Sequence, residues 1–186
     1  MNLQKFNLGA TISGEIRGVD GKIKKTLPEI PANSFVLAFI DILYKHFSQA
    51  ELSTKETDGT EASLAAFAND LACGAAEGET VWGIVIGTGT DVVAIDDYKI
   101  QTQVTANIGY GGVTVAEPVT VGTTRQFDIS RTFTNNTGAA LSIKEVGLYG
   151  EGASNAQVYC LDRSLINIEI ANGESVSLRY RIKVTV

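Results

Sequence analysis

The stretch SVSLRYRIKVTV, residues 175–186, alternates between apolar and polar without a break. Val176, Leu178, Tyr180, Ile182, Val184 and Val186 fall on one side, and Ser175, Ser177, Arg179, Arg181, Lys183 and Thr185 on the other. This is the two-residue period of a strand with one buried and one wet face, so the expected fold is mainly β and antiparallel. Immediately upstream, LINIEIANGE (165–174) carries Ile166, Ile168 and Ile170 in phase before Asn172-Gly173. A two-residue turn there would set Ile168 against Ser177 and mix the two faces. A three-residue loop, Ala171, Asn172 and Gly173, sets Ile168 against Val176 and Ile166 against Leu178, with Gly173 in the left-handed position such loops need. The expected element is a hairpin.

Working back along the chain, TRQFDISRTFTN (124–135) places Phe127, Ile129 and Phe133 in one phase, and AALSIKEVGLYG (139–150) follows the polar tip Asn135-Asn136-Thr137-Gly138. These signals predict a second hairpin. Arg131 and Glu145 interrupt the apolar phases of its strands, and a buried charge needs a partner, so the two are expected to pair across it. Further strands are expected over 79–86, 98–106 and 113–121, with Pro118 confining the last to an edge, a bend or a bulge. Residues 11–17 and 22–26 flank Asp20-Gly21 as one more hairpin. Eight to ten strands with short connections predict an antiparallel β-sandwich or jelly roll. The whole chain, 1–186, reads as one domain with a helical insertion at about 31–75.

That insertion contains PANSFVLAFIDILYKHFSQ (31–49), where Asn33 or Ser34 can cap a long helix over about 33–49. Phe35, Val36, Phe39, Ile40, Leu43 and Phe47 form its core stripe. Leu37, Ile42 and Tyr44 widen the stripe well beyond what one buried face requires, which implies burial on two sides, by the sheets or by a neighbouring subunit. A second, short helix is expected over about 61–73, with Leu64, Phe67, Ala68 and Leu71 in phase and Gly74 as its stop. The small-residue run ACGAAEGE reads equally well as loop.

The totals exclude several functions. Fifteen Lys and Arg against 21 Asp and Glu leave a net charge of −6, which recommends no nucleic-acid partner. No segment has the apolar length of a signal core or a membrane span. Cys73 and Cys160 lie far apart without metal-type spacing and read as buried thiols, although a disulfide between them stays open. His46 is the only histidine; it lies on the apolar side of the helix and reads as a packing residue. Asp96 and Asp97 in AIDDYK could supply carboxylates for a hydrolase, but adjacent residues of a strand diverge, and a solvated loop is the expected setting. Asn135-Asn136-Thr137 has the form of a glycosylation sequon and is read as a turn tip.

The stretch GIVIGTGTDVVAIDDY (83–98) begins like a dinucleotide loop. The third glycine of Gly-x-Gly-x-x-Gly is missing, no helical stripe follows, and no Gly-Lys-Ser/Thr is present, so the phosphate reading fails. Turn geometry is the expected role of Gly87 and Gly89. No catalytic, cofactor-binding or metal-binding residue is expected, and no cofactor.

Taken in order, WGIVIGTGTDVVAIDDYKIQTQV, FTNNTGAALSIKEVGLYG and VYCLDRSLINIEIANGESVSLRYRIKVTV resemble a pattern found in structural proteins of tailed-bacteriophage particles. The matching pieces are residues 87–90, 95–98, 133–138, 146–149 and 161–163, with the helix NSFVLAFIDILY ahead of them. The sequence departs from the pattern in placing Asp162 before Arg163 instead of after it. The resemblance implies a non-enzymatic virion component: a capsid accessory or decoration protein, a neck (head–tail connector) protein, or a tail protein. It would be made in the host cytoplasm and carried in the particle as a homo-oligomer. Its partners would be copies of itself and other virion proteins, with no nucleic acid and no membrane. The alternative is a module binding carbohydrate on a host surface, for which Tyr110 in NIGYGGVT is the candidate loop aromatic.

Overall fold

The computed structural model describes residues 7–32, 35–48, 53–63, 72–152 and 157–185. Among these described residues, twelve strands and one helix follow in the order β1 (Asn7–Arg17), β2 (Ile23–Pro31), α1 (Leu37–Ser48), β3 (Ser53–Lys55), β4 (Glu61–Ser63), β5 (Gly83–Gly87), β6 (Ile108–Tyr110), β7 (Thr114–Val115), β8 (Val119–Val121), β9 (Thr124–Asn135), β10 (Leu141–Glu151), β11 (Val158–Ile170) and β12 (Ser175–Thr185). The larger sheet has the order β2-β1-β12-β9-β6, with β7 and β8 also pairing β9; the smaller is β11-β10-β5, and β3-β4 is a separate hairpin. All pairings are antiparallel. The two main sheets form a β-sandwich, as the alternation predicts.

Between the sheets lies the core that the phase of β12 announces. Val176, Leu178 and Tyr180 are fully buried, together with Ile12, Ile129 and Phe133 of the same sheet and Ile84, Val146 and Ile170 of the other. The two expected C-terminal hairpins are not hairpins. β9 pairs with β12 in one sheet, and β10 pairs with β11 in the other. The connections β9–β10 and β11–β12 are therefore arches that cross the sandwich. Ile166 and Ile168 are expected opposite Leu178 and Val176 in a ladder; they are buried in the same core, facing from the opposite sheet. A strand alternates because one face is buried, and that face can meet its partner across a core as well as beside it.

The two arches lie together and are joined by Asn135, which is fully buried. Its Nδ2 donates to the carbonyls of Ala139 (2.8 Å) and Ile170 (3.0 Å), and its Oδ1 accepts from the Thr137 backbone N–H at 3.0 Å. Its backbone N–H donates to Glu174 O and its carbonyl accepts from Gly173 N. Gly173 has φ 78°, the left-handed conformation expected for it. A side chain so enclosed is closed to glycosylation as folded.

Three local expectations change. The helix begins at Leu37, four residues later than expected, and is short. Phe35 bridges to Asp162, and the Val36 N–H donates to Leu161 O at 3.1 Å, so this segment lies along β11 before the helix can start. The helix expected over 61–73 begins instead as strand β4, paired to β3 through a turn in which Gly59 has φ 92° and Asp58 Oδ1 accepts from the Thr60 N–H. Asp58-Gly59 was the hairpin signal there; residues 64–71 lie outside the described ones. Residues 98–106 form no strand beyond an isolated bridge from Gln103 to Gly87, for a reason given below. Pro118 separates β7 from β8, the break expected of it. The capping expectation for Asn33 and Ser34, and that for the His46 side chain, fall outside the described positions.

The outer face of the larger sheet is polar. Arg181 donates from Nε and Nη2 to both carboxylate oxygens of Asp128, at 2.8 and 3.0 Å. These bonds hold Asp128 below its ordinary value of 3.8. A carboxyl lowered on folding stabilises the fold above its unfolded value and loses that contribution as pH falls through the folded one. Asp128→Asn should therefore lose less than about 1 kcal/mol at neutral pH, and its stability should depend less on pH below 4 than the parent's in acid titration of the unfolding midpoint.

Candidate functional site

The glycine turn after β5 does hold an anion, and the anion belongs to the protein. Glu145 projects from β10 on the face turned away from the core, and its side chain is completely buried. Its Oε1 accepts the N–H groups of Gly89 (3.0 Å) and Thr102 (2.7 Å), and its Oε2 accepts the Gln101 N–H (2.9 Å) and Arg163 Nε (3.0 Å). One carboxylate thus anchors both ends of the segment that leaves β5 and drapes over the smaller sheet. A Cβ on Gly87 would lie 2.7 Å from Glu145 Oε1, and one on Gly89 2.4 Å. The glycines are needed for close approach, the same property that suits such turns to phosphate. Gly89→Ala should cost about 1–3 kcal/mol through this collision, read as a lower denaturation midpoint.

This clamp explains why residues 98–106 look like a strand and are not one. The N–H groups of Gln101 and Thr102 are taken by Glu145, and that of Ile100 by the Tyr149 hydroxyl at 2.6 Å. Side chains standing on β10 replace the ladder that a neighbouring strand would supply.

Arg163, on β11, extends the clamp. Its Nη1 donates to Asp97 Oδ2 at 2.8 Å and its Nη2 to Asp91 O at 3.0 Å. Burial works against its charge, but the hydrogen bonds it donates to Asp97 and Glu145 outweigh it and leave the guanidinium above its usual value. Asp97 also accepts the Ala94 N–H at 2.8 Å, so of the two adjacent carboxylates one is committed to the scaffold, while Asp96 is exposed. They sit in a turn.

Arg131 does not meet Glu145. It donates to the carbonyls of Gly111 (2.7 Å), Trp82 (3.1 Å), Ile84 (2.9 Å), Ala76 (3.3 Å) and Glu79. Its guanidinium lies 4.8 Å from the centre of the Tyr110 ring. Backbone carbonyls supply no full charge, and burial pulls its proton affinity down. Tyr110, the candidate exposed aromatic, is buried, with its hydroxyl donating to Val104 O at 2.7 Å. Residues 76–84 are therefore folded around one cation and residues 87–103 around one anion.

A third buried polar group lies inside the sandwich. Asp162 Oδ2 accepts from Ser164 Oγ at 2.8 Å and from Tyr180 OH at 2.9 Å, linking β11 to β12 across the core. Burial, followed by the neighbouring Asp162, pushes the Tyr180 hydroxyl well above its ordinary value. Cys73 and Cys160 are both buried and not joined in a disulfide, and burial pushes the Cys73 thiol up to about 12. Neither is set up as a nucleophile.

The clamp presents a surface. The Leu37 N–H donates to Ile95 O at 2.9 Å, which joins the start of α1 to the draped segment. Around that junction Leu37 is 47% exposed, Ile40 53%, Ile95 58% and Val92 86%. Beside it, a polar cleft of about 310 Å³ lies between α1, the β3-β4 hairpin and Tyr98; Asp41, Lys55, Glu61 and Asp96 are among its lining residues. Among the described residues no group of three or more His, Cys, Asp or Glu is placed to hold a metal ion, and no helix is long and apolar enough to cross a membrane.

The fold and this site define a β-sandwich whose charged residues brace its connections internally. No known protein family, curated protein or solved structure matches the chain.

In the sequence Gly87, Gly89 and Asp97 share one segment and Glu145 is out of phase with its strand, but no periodicity brings them together. The signal was available: a carboxylate in an apolar phase needs several donors, and a glycine pair after a buried strand offers backbone N–H groups at close range.

Proposed function

We propose that this chain is a non-enzymatic structural subunit of a tailed-phage particle, a capsid accessory or neck protein that assembles in multiple copies with itself and with other virion proteins. The observation that carries this reading is the apolar patch of Leu37, Ile40, Val92 and Ile95, four large side chains left in water at one junction. Exposed apolar side chains gathered in one patch mark protein contacts. Val92 and Ile95 stand on the segment fixed by the Glu145 clamp, and the Leu37 N–H ties the start of α1 to it, so little order has to be gained when a partner docks. The short motifs that resemble phage structural proteins also support the reading, because Gly89, Asp97, Tyr149 and Arg163 all serve this one clamp. They hold backbone in place, a scaffold's task.

Electron microscopy of purified particles, with mass spectrometry of their proteins, tests the proposal. The expected result is this chain in symmetric copies on the capsid or neck; particles that lack it would overturn the reading.

A further inference from the structure

Asn172-Gly173 is the single Asn-Gly pair of the chain. It stands at the turn of the β11–β12 arch, with Asn172 exposed. Such a pair carries its own reaction. The glycine backbone nitrogen loses its proton and attacks the side-chain carbonyl carbon of the asparagine; a new C–N bond closes a succinimide ring, the bond to the amide nitrogen breaks, and ammonia leaves with the proton. Water then opens the ring at either carbonyl and gives aspartate or isoaspartate. Glycine favours the attack because no Cβ crowds its nitrogen. Two freedoms are needed: a glycine N–H able to give up its proton, and an asparagine side chain able to fold back over that nitrogen.

The folded chain withholds both. The Gly173 N–H donates to Asn135 O of the neighbouring β9–β10 arch at 2.7 Å. The Asn172 side chain is committed to the same arch, where its Oδ1 accepts the Gly138 N–H at 2.8 Å. The turn is also closed on itself: the Glu174 N–H donates to Ala171 O at 3.1 Å, and Glu174 Oε2 accepts the Ala171 N–H at 2.9 Å. Asn135, which holds the Gly173 proton, is fully buried, and its Nδ2 ties it to Ile170 O at the base of the reactive arch. Contact with water is therefore not enough for the reaction. The arches have to part first, a local opening of one end of the sandwich.

We propose that Asn172 is a deamidation site which the paired arches keep closed, so that loss of its amide records the opening of this end of the sandwich. The record is one-way. Isoaspartate routes the main chain through Cβ and Cγ of residue 172 and so lengthens the three-residue turn, whose present length is what sets the Gly173 N–H on Asn135 O. An arch that has opened and reacted in this way no longer matches the arch beside it.

Peptide mapping by mass spectrometry, on the full chain incubated at mildly alkaline pH, tests the proposal through the mass gain of amide-to-acid conversion and the appearance of the isoaspartyl peptide. The folded wild type should convert Asn172 about tenfold more slowly, or slower still, than the same chain unfolded in guanidinium chloride, the scale set by the two hydrogen bonds that have to be given up. Asn135→Ala removes the side-chain tie between the arches and should speed conversion several-fold while circular dichroism shows the chain still folded. Equal rates in the folded and unfolded wild type would overturn the proposal, and so would an unfolded chain that keeps the Asn172 amide. A folded Asn135→Ala chain that converts no faster than the wild type would also overturn it; if that variant does not fold, the comparison of folded with unfolded wild type decides alone.

Discussion

Replacing Glu145 by alanine is expected to destabilise the fold by about 3–5 kcal/mol, the scale for removing one partner of a buried ion pair. For a chain of this size that lowers the melting midpoint by about 10 °C. Glu145 is completely buried and the Arg163 side chain is 2% exposed, so water cannot replace the lost bonds without opening the site. Buried pairs can often be exchanged for apolar residues at little cost, but not here. The double variant Glu145→Leu with Arg163→Met removes both charges and still orphans the N–H groups of Gly89, Gln101 and Thr102, each of which now bonds to the carboxylate. It should stay well below the parent in thermal denaturation. Recovery to the parent's midpoint would mean that the pair, and not the backbone cradle, is what the carboxylate serves.

The second large effect is expected at Arg131. Arg131→Met keeps much of the volume and removes every donor to five backbone carbonyls, and the expected loss is about 3–5 kcal/mol, since each buried acceptor left without a donor costs about 1–3 kcal/mol. Arg131→Lys should recover little of it. A single ammonium cannot reproduce the planar fork that reaches Gly111 from Nε, Trp82 and Ile84 from Nη1, and Ala76 and Glu79 from Nη2. Chemical denaturation of the three proteins checks the order. A lysine variant as stable as the parent would show that charge alone suffices, which the fan of carbonyls argues against.

The sandwich was legible in the period of residues 175–186, since burial on one face imposes alternation whatever the partner. The identity of the partner was not. A buried face looks the same whether the next strand lies beside it or across the core, and for that reason β11 and β12 read as a hairpin when they form an arch. Residues 98–106 misled for a related reason. The N–H groups of Ile100, Gln101 and Thr102 bond to side chains of Tyr149 and Glu145, which no period records. Arg131 and Glu145 were rightly marked as buried charges, and each found partners far away in sequence: Glu145 reaches Gly89, 56 residues earlier, and Arg131 reaches Ala76, 55 residues earlier. The glycine turn at 87–89 reads in the sequence as a matter of chain path, and both glycines lie against Glu145. That it holds a carboxylate needed the third dimension.

Residues 87–103 are held by an internal carboxylate. Backbone hydrogen exchange, compared between the parent and Glu145→Ala under conditions where both stay folded, tests it most directly. The N–H groups of Gly89, Gln101 and Thr102 should lose protection together, while those in the β12–β9 ladder keep theirs. Unchanged protection at those three positions would contradict the account.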